Sequence, residues 1–136
     1  MAKLSIAAMR KKVFERAKGL CEYCFLPEEY SVSVFELEHI NPVSNGGKTI
    51  LKNLALSCSG CNKHKSHRIS AIDSETGETI LFFNPRQDKW SEHFIWSEDF
   101  TEIIALTAKA RVTIKSLKLN RRGLKNLRKI LHLVGK

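Results

Sequence analysis

Two short stretches, Cys21-Glu22-Tyr23-Cys24 and Cys58-Ser59-Gly60-Cys61-Asn62-Lys63-His64, decide how this chain is read. Together they contain all four of its cysteines. A Cys-x-x-Cys turn offers two thiolates to one ion, and two such turns complete a closed tetrahedral zinc site. Four thiolates leave no open position for water, so zinc on Cys21, Cys24, Cys58 and Cys61 is expected to be structural. Between the two turns lie Glu38-His39-Ile40-Asn41-Pro42, Gly46-Gly47 and Asn53-Leu54-Ala55-Leu56, polar positions that such a site would hold rigid.

Composition sets the frame around this stretch. The chain has 136 residues, 43% apolar and 27% charged, which reads as globular and about one domain in size. No apolar run approaches the roughly 20 residues that cross a bilayer. Met1 to Ser5 do not begin a secretory leader, so a cytoplasmic location is expected, where paired cysteines bind metal more often than they form disulfides. Net charge is +9, and its placement matters more than its size. Residues 1–102 carry 13 basic and 14 acidic side chains, whereas residues 103–136 carry ten basic and none acidic. A block of one sign attracts a polyanion, most simply nucleic acid, although a solvated helical face has the same composition.

Hydrophobic periodicity supplies the elements. Ile6, Met9, Val13 and Ala17 recur at helical spacing, with Ser5 as N-cap and Gly19 as the left-handed stop. Arg10, Lys12 and Arg16 on that helix face either phosphate or water. Residues 33–40 predict a strand that Asn41-Pro42 ends, residues 44–48 a loop whose glycines permit positive φ, residues 54–56 a second strand, and residues 60–68 a helix. Beyond it, Asp73 to Gly77 reads as a turn, residues 79–83 as a strand, and residues 94–96 with 102–106 as a hairpin. Thr107 caps a helix through Leu117, and Asn120 caps another carrying Leu124, Leu127, Leu131 and Val134. Trp90, Phe94 and Trp96 read as core. The fold class is α+β: residues 1–68 form the zinc-stabilised core, and residues 69–136 a hairpin with basic helices, packed on the core as one domain.

The ordered set Cys-Glu-Tyr-Cys, Glu-His-Ile-x-Pro, Gly-Gly, Asn-Leu-x-Leu-x-Cys and Cys-x-x-Cys-Asn-x-x-Lys resembles the HNH (His-Asn-His) endonuclease family and its ββα-metal fold. The resemblance spans residues 10–68, about half of the chain. The tail is also similar to small prokaryotic HNH proteins in Asp73-x-x-Thr76-Gly77-Glu78, Phe83-Asn84-Pro85-Arg86 and Trp90-x-x-His93-Phe94-x-Trp96.

The resemblance implies hydrolysis of phosphodiester bonds in DNA with one Mg²⁺ or Mn²⁺. It makes His39 the general base, a role an imidazole suits near neutral pH. Glu38 takes the position of the family's metal-binding aspartate, and a carboxylate oxygen is what a hard cation prefers. Adjacent strand residues point to opposite faces, so Glu38 and His39 converge on one phosphate only if the strand ends there. Asn53 matches the middle residue of the motif and is expected to pin the loop through side-chain to backbone bonds. Asn62 stands where many members carry the last histidine, so the pattern here is His-Asn-Asn, with Asn62 as second metal ligand. His64 is a fallback ligand, although it lies about 200° further round a helix.

Lys63, Lys65 and Arg68, and in the tail Arg121, Arg122, Lys125, Arg128 and Lys129, are the expected phosphate contacts on double-stranded DNA. No membrane association is expected; a homodimer or a partner that delivers the protein to its target remains open. Two other functions stay open as well: a non-catalytic zinc-knuckle DNA-binding protein, and a nuclease subunit that cuts only with a partner.

Overall fold

Helix signals and turns fall where the element order needs them. In the computed structural model, which describes residues 4–135, Ser5 Oγ accepts the Ala8 N–H at 3.1 Å and opens α1 (Ile6–Ala17). Residues 1–3, part of the stretch in which a secretory leader would begin, and Lys136 lie outside the described residues. Met9 and Val13 carry the buried face of α1, while Ile6 is 57% exposed because it precedes the part of the helix that meets the sheet. The left-handed stop begins one residue early, with Lys18 at φ 58° and Gly19 at φ 72°. Arg10 and Arg16 both have backbone partners. Arg10 donates to Phe35 O at 2.7 Å, and Arg16 to Leu51 O at 3.0 Å and Leu54 O at 2.6 Å, which ties α1 to the strands.

The first hairpin is β1 (Glu36–His39) against β2 (Leu54–Ser57), antiparallel, with Glu36 opposite Ser57 and His39 opposite Leu54. β1 is shorter than its β-branched run because Ser33 and Val34 pair with no strand. β2 is buried throughout, and fully burying Leu54 and Leu56 contributes about 1.5–3 kcal/mol each. β2 runs straight into Cys58, whose Sγ accepts the Cys61 N–H at 3.4 Å and caps α2 (Ser59–Lys65). α2 stops at Lys65 rather than continuing to Arg68. Met1–His67 is one compact unit.

Arg68–Lys136 is a second compact unit. It holds β3 (Ser70–Ile72) paired with β4 (Thr79–Leu81), a short α3 (Trp90–His93), β5 (Phe94–Trp96) paired with β6 (Ile103–Ala105), and helices α4 (Ala108–Leu117) and α5 (Arg122–Leu133). Phe82, Phe83, Phe94, Ile103, Val112, Leu117 and Leu119 are its buried core. The expected turn is present: Asp73 N–H donates to Glu78 O at 2.8 Å, and Gly77 takes φ 76°. Thr107 caps α4 through Ala110 N–H at 3.2 Å. Asn120 does not cap α5. Its amide is matched to Ile103 instead, accepting from N–H and donating to C=O at 2.8 Å each, so that it joins the α4–α5 corner to β6.

Candidate functional site

The two Cys-x-x-Cys turns meet. Cys21, Cys24, Cys58 and Cys61 are all buried, and their sulfurs lie within 4.8 Å of one another. Backbone bonds shape the first turn: Phe25 N–H donates to Cys21 O and Cys21 N–H to Leu26 O, both at 2.9 Å, with Phe25 at φ 64°. Glu22 fastens the turn to β2, donating N–H to Leu56 O and accepting Leu56 N–H on its carboxylate, each at 2.8 Å. Crowding splits the thiols. Hydrogen bonding from Cys21 first, then Cys24 and Cys61, holds Cys58 far below the usual thiol range, whereas the Cys21 contact pushes Cys24 and Cys61 well up. The four sulfurs are positioned to hold a metal ion.

Tyr23, inside the first turn, reaches out of it. Its hydroxyl donates to Glu38 Oε1 at 2.5 Å, and Lys65 Nζ lies 2.6 Å from Glu38 Oε2. Glu38 and Lys65 are each 2% exposed at the side chain. Lys65 also donates to Ile40 O at 2.9 Å, just past the end of β1. Lys65 therefore does not meet phosphate. It sits four residues after Cys61 on α2 and follows that cysteine into the interior. Burial pushes the Glu38 carboxyl above its ordinary value, while Lys65 and Tyr23 pull it back. Tyr23 is held well above the usual phenol value by burial and by the Glu38 charge.

Glu38, His39 and Asn62 line one open cleft of about 460 Å³, together with Ser44, Ser66 and His67. Glu38 and His39 both border this cleft, but the Glu38 carboxylate turns inward to Tyr23 and Lys65 and is 2% exposed, as alternation along the strand requires. His39 Nε2 lies 2.9 Å from Thr49 Oγ1. Asn62 donates Nδ2 to the Glu36 carboxylate on the neighbouring strand. Asn53 latches the loop between them: Oδ1 accepts Asn41 N–H at 2.8 Å, and Nδ2 donates to Asn41 O and Lys48 O, both at 2.9 Å. Of the two loop glycines, only Gly46 needs a positive φ, 84°. Gly47 is needed for space, since a Cβ there would lie 1.8 Å from Asn41 O. His64 is half-buried on α2 and does not line the cleft.

The remaining basic residues divide by what they touch. Arg128 is structural: it donates to Thr101 O at 3.0 Å, Leu119 O at 2.7 Å and Asn120 Oδ1 at 3.1 Å, and stacks over Trp96. Arg121 donates to Leu117 O and Lys118 O at the end of α4, and Lys125 pairs with Glu102 at 2.9 Å. Lys63, Arg68, Arg122 and Lys129 are exposed, with the Arg68 guanidinium over Phe82. Sequence reading missed Tyr23, Thr49 and His67 as neighbours of the site. For Tyr23 a signal existed, a phenol held inside a Cys-x-x-Cys turn; for the other two, loop geometry decides.

An antiparallel strand pair followed by a helix, with cysteine pairs before the first strand and at the start of the helix, is the ββα-metal arrangement. Residues 21–68 match the family described as HNH endonuclease. Among curated proteins, the chain is similar to the Septu protein PtuB of Bacillus mycoides (strain KBAB4). The two are 30% identical over 148 residues, which cover 88% of this chain and 48% of that protein. The chain thus spans about half the length of that relative. No solved structure gives a significant match.

Proposed function

We propose that this protein is a zinc-stabilised, metal-dependent endonuclease that hydrolyses phosphodiester bonds of DNA. One observation carries the proposal: Glu38, His39 and Asn62 line a single open cleft inside the segment that matches the HNH family. In this reading residues 1–68 are the nuclease core and residues 69–136 an extension that adds affinity for the duplex.

The donor sets fit the two metals. Tetrahedral zinc with Zn–S bonds of about 2.3 Å sets its sulfurs about 3.8 Å apart. Cys24 and Cys58 lie at 3.7 Å, which supports zinc on the four cysteines. For Mg²⁺ or Mn²⁺ the oxygens of Glu38 and Asn62 are the holders. Both Glu38 oxygens have partners, Oε1 the Tyr23 hydroxyl at 2.5 Å and Oε2 the Lys65 ammonium at 2.6 Å, so an ion would bind there only by displacing Lys65. Hard cations take such carboxylate and amide oxygens. A bound ion supplies charge stabilisation to the phosphate oxygens.

The chain's own residues do the rest. His39 Nε2 lies 2.9 Å from Thr49 Oγ1; in the tautomer that donates Nε2–H to this hydroxyl, the lone pair is on Nδ1. That nitrogen takes the proton of the attacking water. Asn53 holds the Asn41–Lys48 loop, and Thr49 follows that loop directly, so the latch keeps His39 oriented. Lys63, Arg68, Arg122 and Lys129 hold phosphate by charge, a contact that gives affinity without reading sequence. No helix among the described residues is long and apolar enough to cross a membrane.

The test is supercoiled plasmid incubated with Mg²⁺ or Mn²⁺, wild type beside His39→Ala, with and without EDTA. Nicked or linear product from wild type alone, abolished by EDTA, is the expected result. Salt-sensitive binding with no cleavage by either protein would leave a DNA-binding module in place of a nuclease.

A further inference from the structure

The cleft holds a second imidazole. His67 lies two residues beyond α2 (Ser59–Lys65) and lines the cleft that Glu38, His39 and Asn62 also line. It is exposed, its Nδ1 lies 3.1 Å from Ser66 Oγ, and its Nε2 has no partner among the described residues. The backbone places it there at a cost. Ser66 N–H still completes the helix on Asn62 O at 2.9 Å, but Ser66 then takes φ 54° and ψ −140°, outside the left-handed helical well and disfavoured for any residue with a Cβ. The helix is broken off at this residue, and Ser66 and His67 both fall on the cleft wall.

The nuclease assignment gives the ion to Glu38 and Asn62, which leaves His67 without a role. Among the described residues, the four cysteines are the one cluster of three or more His, Cys, Asp or Glu side chains close enough to hold an ion. His67 is therefore not gathered with Glu38 and His39 around a single point. What the hydrolysis still requires is a proton for the departing sugar oxygen, and no other group in the cleft is assigned to supply it.

We infer that His67 is the general acid of the reaction, a role that rests on the nuclease assignment above. His39 accepts a proton from water as the water oxygen bonds to phosphorus. The bond from phosphorus to the sugar oxygen breaks with its electron pair on oxygen, and the His67 imidazolium gives that oxygen its Nε2 proton. One proton enters His39 and one leaves His67, and exchange with solvent restores both.

A substrate whose leaving group needs no proton separates this role from binding or folding. Duplex DNA leaves as an alkoxide that must be protonated, whereas bis(4-nitrophenyl) phosphate leaves as a stable phenolate. Wild type, His39→Ala, His67→Ala and His67→Gln are compared on both substrates with Mn²⁺, after zinc content and circular dichroism show intact protein. The expected result is that both His67 variants lose about 100-fold or more in turnover on DNA while keeping near wild-type turnover on the phenyl ester. His39→Ala loses both. Equal losses on the two substrates, or wild-type cleavage of DNA by His67→Ala, would overturn the acid role and leave the nuclease standing. Cleavage of neither substrate by wild type would overturn the nuclease assignment, and the acid role with it.

Discussion

Replacing Gly47 by alanine should unlatch the loop that carries the cleft. A Cβ at Gly47 would lie 1.8 Å from Asn41 O, 2.7 Å from Asn41 C and 2.9 Å from Asn53 Nδ2. Two of those atoms are backbone and cannot rotate away, so either the Asn41–Lys48 segment or the Asn53 side chain must move. Either movement breaks the three Asn53 bonds, at 2.8, 2.9 and 2.9 Å. At about 0.5–1.5 kcal/mol net for each bond, the loss is about 2–4 kcal/mol, a large share of what holds a small domain together. Gly46→Ala is the control, because Gly46 has open space around it and only its φ of 84° to defend. That substitution should cost about 1–2 kcal/mol. The assay is urea denaturation followed by circular dichroism, with hydrogen exchange at the Asn41 amide, which Asn53 Oδ1 protects. Gly47→Ala should lose both stability and Asn41 protection; Gly46→Ala should keep the protection. A Gly47→Ala protein within about 0.5 kcal/mol of wild type and with Asn41 still protected would refute the latch.

Other outcomes follow from the same contacts. Removing zinc with a strong chelator should melt the Met1–His67 unit, read as loss of exchange protection on β1, β2 and α2, while fluorescence from Trp90 and Trp96 in the other unit changes little. Asp73 is held well below the ordinary carboxylate range, first by Arg111, which donates at 3.1 and 2.8 Å. A depressed folded value gives stability that is present above the unfolded pKa and lost as pH falls through the folded one. Thermal stability of the Arg68–Lys136 unit should therefore drop below roughly pH 4, and Asp73→Asn should be less stable at neutral pH with a flatter acid limb. Arg128→Ala should lower the melting temperature, because it strips three backbone and amide contacts, and should leave the salt dependence of DNA binding unchanged. Lys129→Ala should do the reverse, reducing the salt slope by about one while stability holds.

The cysteine turns, the strand pair and the Asn53 latch were legible because each depends on local chemistry at fixed spacing. Two thiolates on a tight turn, a strand stopped by Asn41-Pro42, and an asparagine entering a strand carry their geometry with them. Lys65 was misread as a phosphate contact although the spacing held the answer: four residues after Cys61 on a helix, it shares that residue's inward face. Arg128 likewise follows Leu124 by four residues, beside the one α5 side chain that is buried, so its charge is spent on backbone carbonyls. The strand Ser70–Ile72 went unread because three residues with one β-branched side chain carry no periodicity, and pairing with Thr79–Leu81 defines it. His67 lay beyond sequence reading for a different reason. Helical continuation from Ser59 predicts another turn there, and only the unusual conformation of Ser66 brings the imidazole to the cleft.

The most direct measurement is the single-turnover cleavage rate of a labelled DNA duplex across a Mn²⁺ titration, for wild type, Glu38→Gln and His39→Ala. If Glu38 holds the ion and His39 takes the proton, Glu38→Gln needs more Mn²⁺ and recovers in part. His39→Ala should stay at least about 100-fold slow at saturating metal, with its zinc content unchanged. Equal rates for wild type and His39→Ala at saturating Mn²⁺ would contradict the assignment of this cleft as the site of cleavage.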